Sequence, residues 1–314
     1  MANCNYLFQN FGKEVSLTKT KIKRIKTSRD GLREHIRKYF KIHHPEYIPY
    51  FYIQGSFKMK TSIRTKDDIC DLDDGVYFFR TPDVTATTLQ SWVKDAIEDY
   101  TSTVPEHRKK CIRIIFTNDY EIDLPIYYQV DDIEYQLAVK AKDWEPSDPK
   151  AMVDWFNKKK DKKGQLVRIV KYLKAWCDDR TVKMPSGLAM TILASNAFTS
   201  IAINDRDDII LRDILKEIQK ALNSDFKCKV PAVPFDNLFE NYDSGRKRTF
   251  LDALDDFLQD AESALREKNE LKASKLWRKH LGNRFPLGED KDEDTSKYSS
   301  IILGAKASNP WSSL

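Results

Sequence analysis

Histidine is scarce in this 314-residue chain, with five in all, and the five cysteines (Cys4, Cys70, Cys111, Cys177, Cys228) include no Cys-x-x-Cys pair. An odd, dispersed set of this kind reads as reduced thiols and not as a disulfide framework. The adjacent pair His43-His44 has no cysteine partner at finger spacing, which argues against zinc. No apolar run approaches the length of a membrane span, so no membrane partner is expected. The first residues, Met1-Ala2-Asn3-Cys4-Asn5, lack the charged-then-apolar layout of a secretory signal, and the expected location is the cytosol (cytoplasmic). No internal repeat is present.

What the chain does have is charge. Charged residues make up 32% of it, with a net charge of +5 and a pI near 8.7. A mildly basic balance fits anionic small molecules or nucleic acid, while the mixed signs fit a solubilising surface. The length allows one large domain or two lobes with cores of their own.

Residues 18–44 show apolar spacing of three, four or seven (Ile22, Ile25, Leu32, Ile36, Phe40), which predicts a helix ended by His43-His44-Pro45. Its Lys21–Lys26 face reads as solvated, with phosphate contact as the alternative. A β-rich section follows. Tyr50–Ile53 and Asp73–Phe79 read as strands, Thr87–Tyr100 as an intervening helix, and 111–116 with 121–128 as a hairpin turning at Asn118-Asp119. Glu134–Val139 predicts another strand.

From about residue 147 the period becomes helical. Asp148-Pro149 is an N-cap acid before a proline at the first helical position. Helices are expected around Leu166–Trp176, over Leu188–Ile203 and Ile209–Leu222, and as one long helix from about Thr249 past Leu276 to a cap at Gly282. The stretch from Gly288 is a charged linker leading to a polar end, expected to be poorly ordered without a partner.

The chemistry lies in two neighbouring motifs. Asp71-Leu72-Asp73 at the head of a strand puts two carboxylates on one face of a sheet, because strand side chains alternate with period 2. Like charges held that close need a divalent cation, or one must take up a proton. Upstream, Gly55-Ser56 is a small turn able to present backbone N–H groups and a hydroxyl to a polyphosphate. A third carboxylate, Asp123, sits between Ile122 and Leu124 and so points away from their face. Three such acids suit magnesium, which takes carboxylate and phosphate oxygens and supports in-line displacement at phosphorus. Asp74 falls on the opposite face. An Asp-x-Asp-Asp-Gly run alone reads as a metal-binding turn of many kinds; the joint pattern is far more specific.

Gly55-Ser56, fourteen intervening residues, Asp-x-Asp and then Ile122-Asp123-Leu124-Pro125 resemble the polymerase-β-type nucleotidyltransferase superfamily. Within it, Gln54-Gly55-Ser56-Phe57, Asp71-Leu72-Asp73-Asp74-Gly75 and Ile122–Pro125 resemble the bacterial cGAS/DncV-like nucleotidyltransferases, the CD-NTases of anti-phage defence. The likeness continues through Trp144–Lys150, Val170–Trp176 and Gly282–Pro286, so it covers nearly all of the chain except the tail. The resemblance implies an α+β fold: a mixed β-sheet nucleotidyltransferase core with an N-terminal helix, plus an α-helical lobe, with the active site in the cleft between them. The corresponding divisions are 1–146 for the core lobe, 147–287 for the helical lobe and 288–314 for a flexible tail.

The resemblance further implies a Mg2+-dependent enzyme, with Mn2+ as a substitute, that joins ATP and/or GTP into a cyclic di- or trinucleotide messenger acting on a downstream effector. Asp71, Asp73 and Asp123 would be the catalytic metal ligands. Gln54, Gly55 and Ser56 would hold donor phosphates, Lys174 and Ser186 would reach the triphosphate from the helical lobe, and Arg113 would steady the acceptor. The spacer before Asp71 is long for the superfamily, which leaves Asp68 as an alternative ligand. No zinc insertion like that of the animal DNA sensor is present, which argues against activation by nucleic acid. The tail ending at Leu314 is a candidate attachment point for a regulatory or conjugating protein. Two other readings stand beside this one: a template-independent transferase acting on RNA or protein hydroxyls, and a catalytically inactive nucleic-acid-binding protein.

Overall fold

A computed structural model describes residues 2–117, 119–131 and 134–292. Asn118 of the expected turn and the tail from residue 293, with Leu314, lie outside the described residues. The fold is α+β, with ten helices and eight strands among the described residues. In chain order these are α1 (Asn5–Val15), α2 (Lys19–His43), β1 (Tyr50–Gln54), α3 (Gly55–Met59), β2 (Cys70–Phe78), α4 (Ala86–Asp95), β3 (Glu106–His107), β4 (Ile112–Phe116), β5 (Tyr120–Leu124), β6 (Ile126–Tyr128), β7 (Gln136–Val139) and β8 (Asp143–Pro146). Then come α5 (Pro149–Lys159), α6 (Gln165–Asp179), α7 (Gly187–Phe198), α8 (Asp207–Ser224), α9 (Ser244–Arg266) and α10 (Glu270–Leu281). Among the described residues, no helix is long and apolar enough to cross a membrane.

The strands form one open mixed sheet in the order β3-β4-β5-β2-β6-β7-β8, with β1 paired to β2. β2 is its axis. One edge takes β1 antiparallel; the other takes β5 and β6 in succession, both parallel. The expected hairpin is therefore only β4 with β5. Pro125 has no N–H to give a ladder, and after it the chain leaves β4 and pairs with β7 instead. Its carbonyl still accepts from Val76 N–H at 2.9 Å, so the chain stays against β2.

Period-2 alternation divides the sheet into two unlike faces. Leu72, Val76, Phe78, Ile112, Ile114, Ile122 and Leu124 are buried together with Ile25, Ile36 and Phe40 of α2 and Leu89 and Val93 of α4. Asp74 belongs to this face. It is fully buried, and the Arg33 guanidinium grips it, with Nε at 2.7 Å. Burial pushes the Asp74 carboxyl up while Arg33 pulls it down.

The helical residues form a second core around Trp176, Phe250, Phe257 and Trp277. α1 joins this core although it precedes the sheet in the chain: Phe8 and Phe11 pack on Tyr172 and Phe285. Lys21 is not part of a solvated face. It is buried and bridges Asp68 (3.0 Å) and Asp119 (3.1 Å), tying α2 to two loops. The long C-terminal helix is two helices, because Asn269 caps a new start by accepting from Lys272 N–H at 3.0 Å. α7 stops at Phe198, short of Ile203. Residues 289–291 lie against the start of α10, where Glu270 N–H donates to Lys291 and Leu271 N–H to Glu289.

The Arg33–Asp74 pair yields a stability prediction. Arg33→Met leaves a lone buried carboxylate and costs about 3 kcal/mol at pH 8. The cost shrinks toward pH 5, because the unpaired Asp74 then folds protonated and a raised carboxyl loses stability as pH rises, not as it falls. Urea unfolding at the two pH values checks this, and a pH-independent difference contradicts it.

Candidate active site

The other face of the sheet carries the polar residues. In register across four strands lie Arg113 (β4), Asp123 (β5), Asp73 (β2) and Gln54 (β1). Beside that row, Glu121 stands opposite Asp71. The Asp-x-Asp alternation and the parallel pairing of β2 with β5 thus bring Asp71, Asp73 and Asp123 onto one surface.

Gly55 turns the chain from β1 into α3 at φ +59, and a Cβ there would lie 2.0 Å from Asp73 Oδ2. Only glycine combines that φ with such an approach. The loop after β1 is consequently laid directly over the carboxylate. Ser56 follows, sharing a hydrogen bond with the Ser62 hydroxyl at 2.7 Å.

Across a cleft of about 530 Å³ stands the helical part. Gly55, Ser56, Asp71 and Asp73 line one side; Lys174, Asp178, Pro185, Gly187 and Thr191 line the other. Lys174 Nζ donates to the Thr61 carbonyl (3.2 Å) and hydroxyl (3.3 Å). Burial pulls its ammonium down to about 8, against the opposing attraction of Asp71 and Asp73. Burial, then the charges of Asp71 and Asp123, push the Asp73 carboxyl up to about 7. A surface with this much unpaid negative charge is one that a cation or a proton must complete.

Three expected residues stand differently. Gln54 is buried, with its amide nitrogen donating to the Tyr127 hydroxyl (3.1 Å) and its oxygen accepting from Tyr77 (2.9 Å). It supports the site from the side and does not line the cleft. Ser186 is the N-cap of α7, accepting from Ala189 N–H at 3.2 Å, while its neighbours Pro185 and Gly187 do the lining. Arg113 is committed to Asp123, its Nε and Nη2 reaching the two carboxylate oxygens at 2.7 and 2.6 Å. Asp68, the alternative ligand, is ion-paired to Lys21 and Arg64.

Oxygen donors of this kind are what magnesium takes, so the residues fit the metal. Among the described residues, however, no group of three His, Cys, Asp or Glu side chains is gathered closely enough to enclose an ion. Sequence reasoning missed Asp178. It lies four residues after Lys174 on α6, hence on the same helix face, and accepts from Lys66 N–H (2.6 Å) and Arg284 Nη2 (2.8 Å). Arg284 also donates to the Arg64 carbonyl (2.6 Å), so these groups tie the loop before β2 to the helical part.

The raised Asp73 carboxyl carries a test. Its contribution to stability is complete below its unfolded value near 4 and is lost as pH rises through about 7. In metal-free buffer Asp73→Asn is therefore more stable than the parent at pH 8 and gains nothing at pH 4. Chemical denaturation at both values checks this; a variant less stable than the parent at pH 8 contradicts it.

Comparison with known proteins agrees with this geometry. Residues 49–127 match the nucleotidyltransferase domain family described as cyclic GMP-AMP synthase DncV-like. A cyclic GMP-AMP synthase of Escherichia albertii is 32% identical over 163 residues, which is 46% of this chain and 36% of that protein. A cyclic AMP-AMP-AMP synthase of an Acinetobacter strain is 24% identical over 279 residues, covering 83% of this chain and 78% of its own. The chain thus spans only about a third of the E. albertii relative and over three quarters of the other. In fold, the crystal structure of Vibrio cholerae DncV cyclic AMP-GMP synthase superposes with a TM-score of 0.79 at 20% identity, over 90% of this chain and 97% of that one. The matched segment carries β1, β2 and β5 with their Gly-Ser and aspartate motifs, so over residues 49–127 the chain is similar to the DncV-like nucleotidyltransferase domain family, and its fold is that of DncV.

Proposed function

We propose that this chain is a Mg2+-dependent nucleotidyltransferase that joins ATP and/or GTP into a cyclic di- or trinucleotide. The observation that carries the reading is the row of same-face carboxylates facing Lys174 across a cleft roofed by Gly55-Ser56. The names of the relatives, cyclic GMP-AMP and cyclic AMP-AMP-AMP synthases, support the product class. The resemblance to defence enzymes supports a messenger made in the cytosol and read by a downstream effector during phage infection.

In this reading the Gly55 and Ser56 segment and the Lys174 ammonium hold the donor triphosphate from opposite walls. Asp71, Asp73 and Asp123 would hold magnesium, which when bound offsets charge on the attacking and leaving oxygens. Asp123 accepts the proton of the attacking ribose hydroxyl. That oxygen bonds to the α-phosphorus as the bond to pyrophosphate breaks, and pyrophosphate leaves. A last transfer by the same carboxylates, the second for a dinucleotide and the third for a trinucleotide, joins the ends of the linear intermediate after it turns in the cleft, expels a further pyrophosphate and closes the ring. The triphosphate would add to the counter-charge that Asp71 and Asp73 already offer Lys174 against its burial.

The test uses labelled triphosphates and no added polymer or protein. The expected result is a phosphatase-resistant small product from the parent, and a loss of at least about 1000-fold with Asp71→Asn/Asp73→Asn at unchanged circular dichroism. Undiminished product from the double variant overturns the assignment. Product only on addition of RNA or protein favours a polymer- or protein-directed transferase.

A further inference from the structure

The charged row has one cation whose place is otherwise unexplained. Arg113 on β4 is directly opposite Asp123 on β5 and occupies both of its oxygens. Its Nη1 is also ion-paired to Glu121, two residues earlier on the same face of β5. The three side chains retain 19, 13 and 24% of their exposure, so this is a shielded fork between two carboxylates and not a surface pair. On its other side Arg113 is in register with Glu106 of β3, but Glu106 is engaged by Arg108 at 2.8 Å.

A bidentate guanidinium takes the two facing lone pairs of a carboxylate, one on each oxygen, and leaves only the outer pair for another partner. Asp123 cannot turn those facing lone pairs to Arg113 and to a metal ion at once. It also neighbours Asp73 across β5 and β2, so in a cation-free state Arg113 relieves the crowding of the two acids. When Asp123 turns away, Arg113 would be left as a shielded, unpaired charge, which is costly. Glu121, already ion-paired to Arg113, would offset that cost by keeping the pair.

We propose that Arg113 is a latch that holds Asp123 out of the metal site, and that Glu121 is the positioning residue that retains Arg113 when a divalent cation takes Asp123. The proposal rests on the metal-dependent reading above and makes or breaks no covalent bond. It exchanges one ion pair for another: Arg113 moves from two carboxylates to one, and Asp123 moves from a guanidinium to the metal. Completion of the three-carboxylate site is then coupled to arrival of the cation.

The test measures Mn2+ binding to the nucleotide-free protein by the loss of the free-ion electron paramagnetic resonance signal. Arg113→Met should bind Mn2+ about tenfold more tightly than the parent, the scale of one charge-assisted hydrogen bond removed from competition. Arg113→Lys keeps the charge but loses the fork, and should also tighten binding; it also serves if the methionine variant does not fold. Glu121→Gln should weaken binding, and the weakening should vanish in Arg113→Met/Glu121→Gln, because Glu121 acts through Arg113. Parent-like binding by Arg113→Lys, or a Glu121→Gln effect that persists in full beside Arg113→Met, overturns the latch and leaves a simple field effect. Mn2+ bound equally by the parent and by Asp71→Asn/Asp73→Asn, or by no variant, overturns the metal reading beneath it and the latch with it.

Discussion

Like charges crowded onto one face of a sheet dominate this structure. Asp71, Asp73, Glu121 and Asp123 share a surface because β2 and β5 run parallel and in register, and no side chain on those strands can leave its face without a slip of the ladder. Everything around them answers that charge. Arg113 closes over Asp123 and Glu121 from β4, Lys174 faces Asp71 and Asp73 from α6, and Asp73 takes up part of the strain as a raised carboxyl. A fold optimised for stability alone would not place these groups together. The apolar opposite face and its α2–α4 cover supply the rigidity against which the charge is held.

The two sides of the cleft are linked by local ties and not by the sheet. Asp178 is the main one, gathering the Lys66 backbone and Arg284 onto α6. α1 adds a second, packing Phe8 and Phe11 into the helical core while Arg64 donates to the Ser16 carbonyl at 3.0 Å just beyond its end. Lys174 is thereby held at a fixed place opposite the carboxylates. The Lys174 contact to Thr61 also joins α6 to the loop that follows α3, so the phosphate-binding candidates of both sides meet at one seam.

Much of this was legible in the sequence, where local periodicity decides it. The same-face placement of Asp71 and Asp73, the opposite placement of Asp74 and the Asp148-Pro149 helix start all follow from side-chain geometry within a few residues. What was not legible depends on distant partners. Lys21 reads as a solvated lysine until Asp68 and Asp119 arrive from other loops. Gln54 reads as part of a phosphate turn until Tyr77 and Tyr127 take its amide. The spacing of Leu7, Phe8, Phe11 and Val15 was a helical signal within reach, but its partner core lies more than 150 residues away. Pro125 was also in view, and its missing N–H explains why β5 and β6 part company.

The most direct measurement is anomalous diffraction from crystals grown with Mn2+ and a non-hydrolysable ATP analogue. The account predicts manganese at Asp71 and Asp73, with Asp123 turned from Arg113 toward the metal and the triphosphate between Ser56 and Lys174. Manganese elsewhere, or a nucleotide bound away from the Gly55-Ser56 segment, would contradict it.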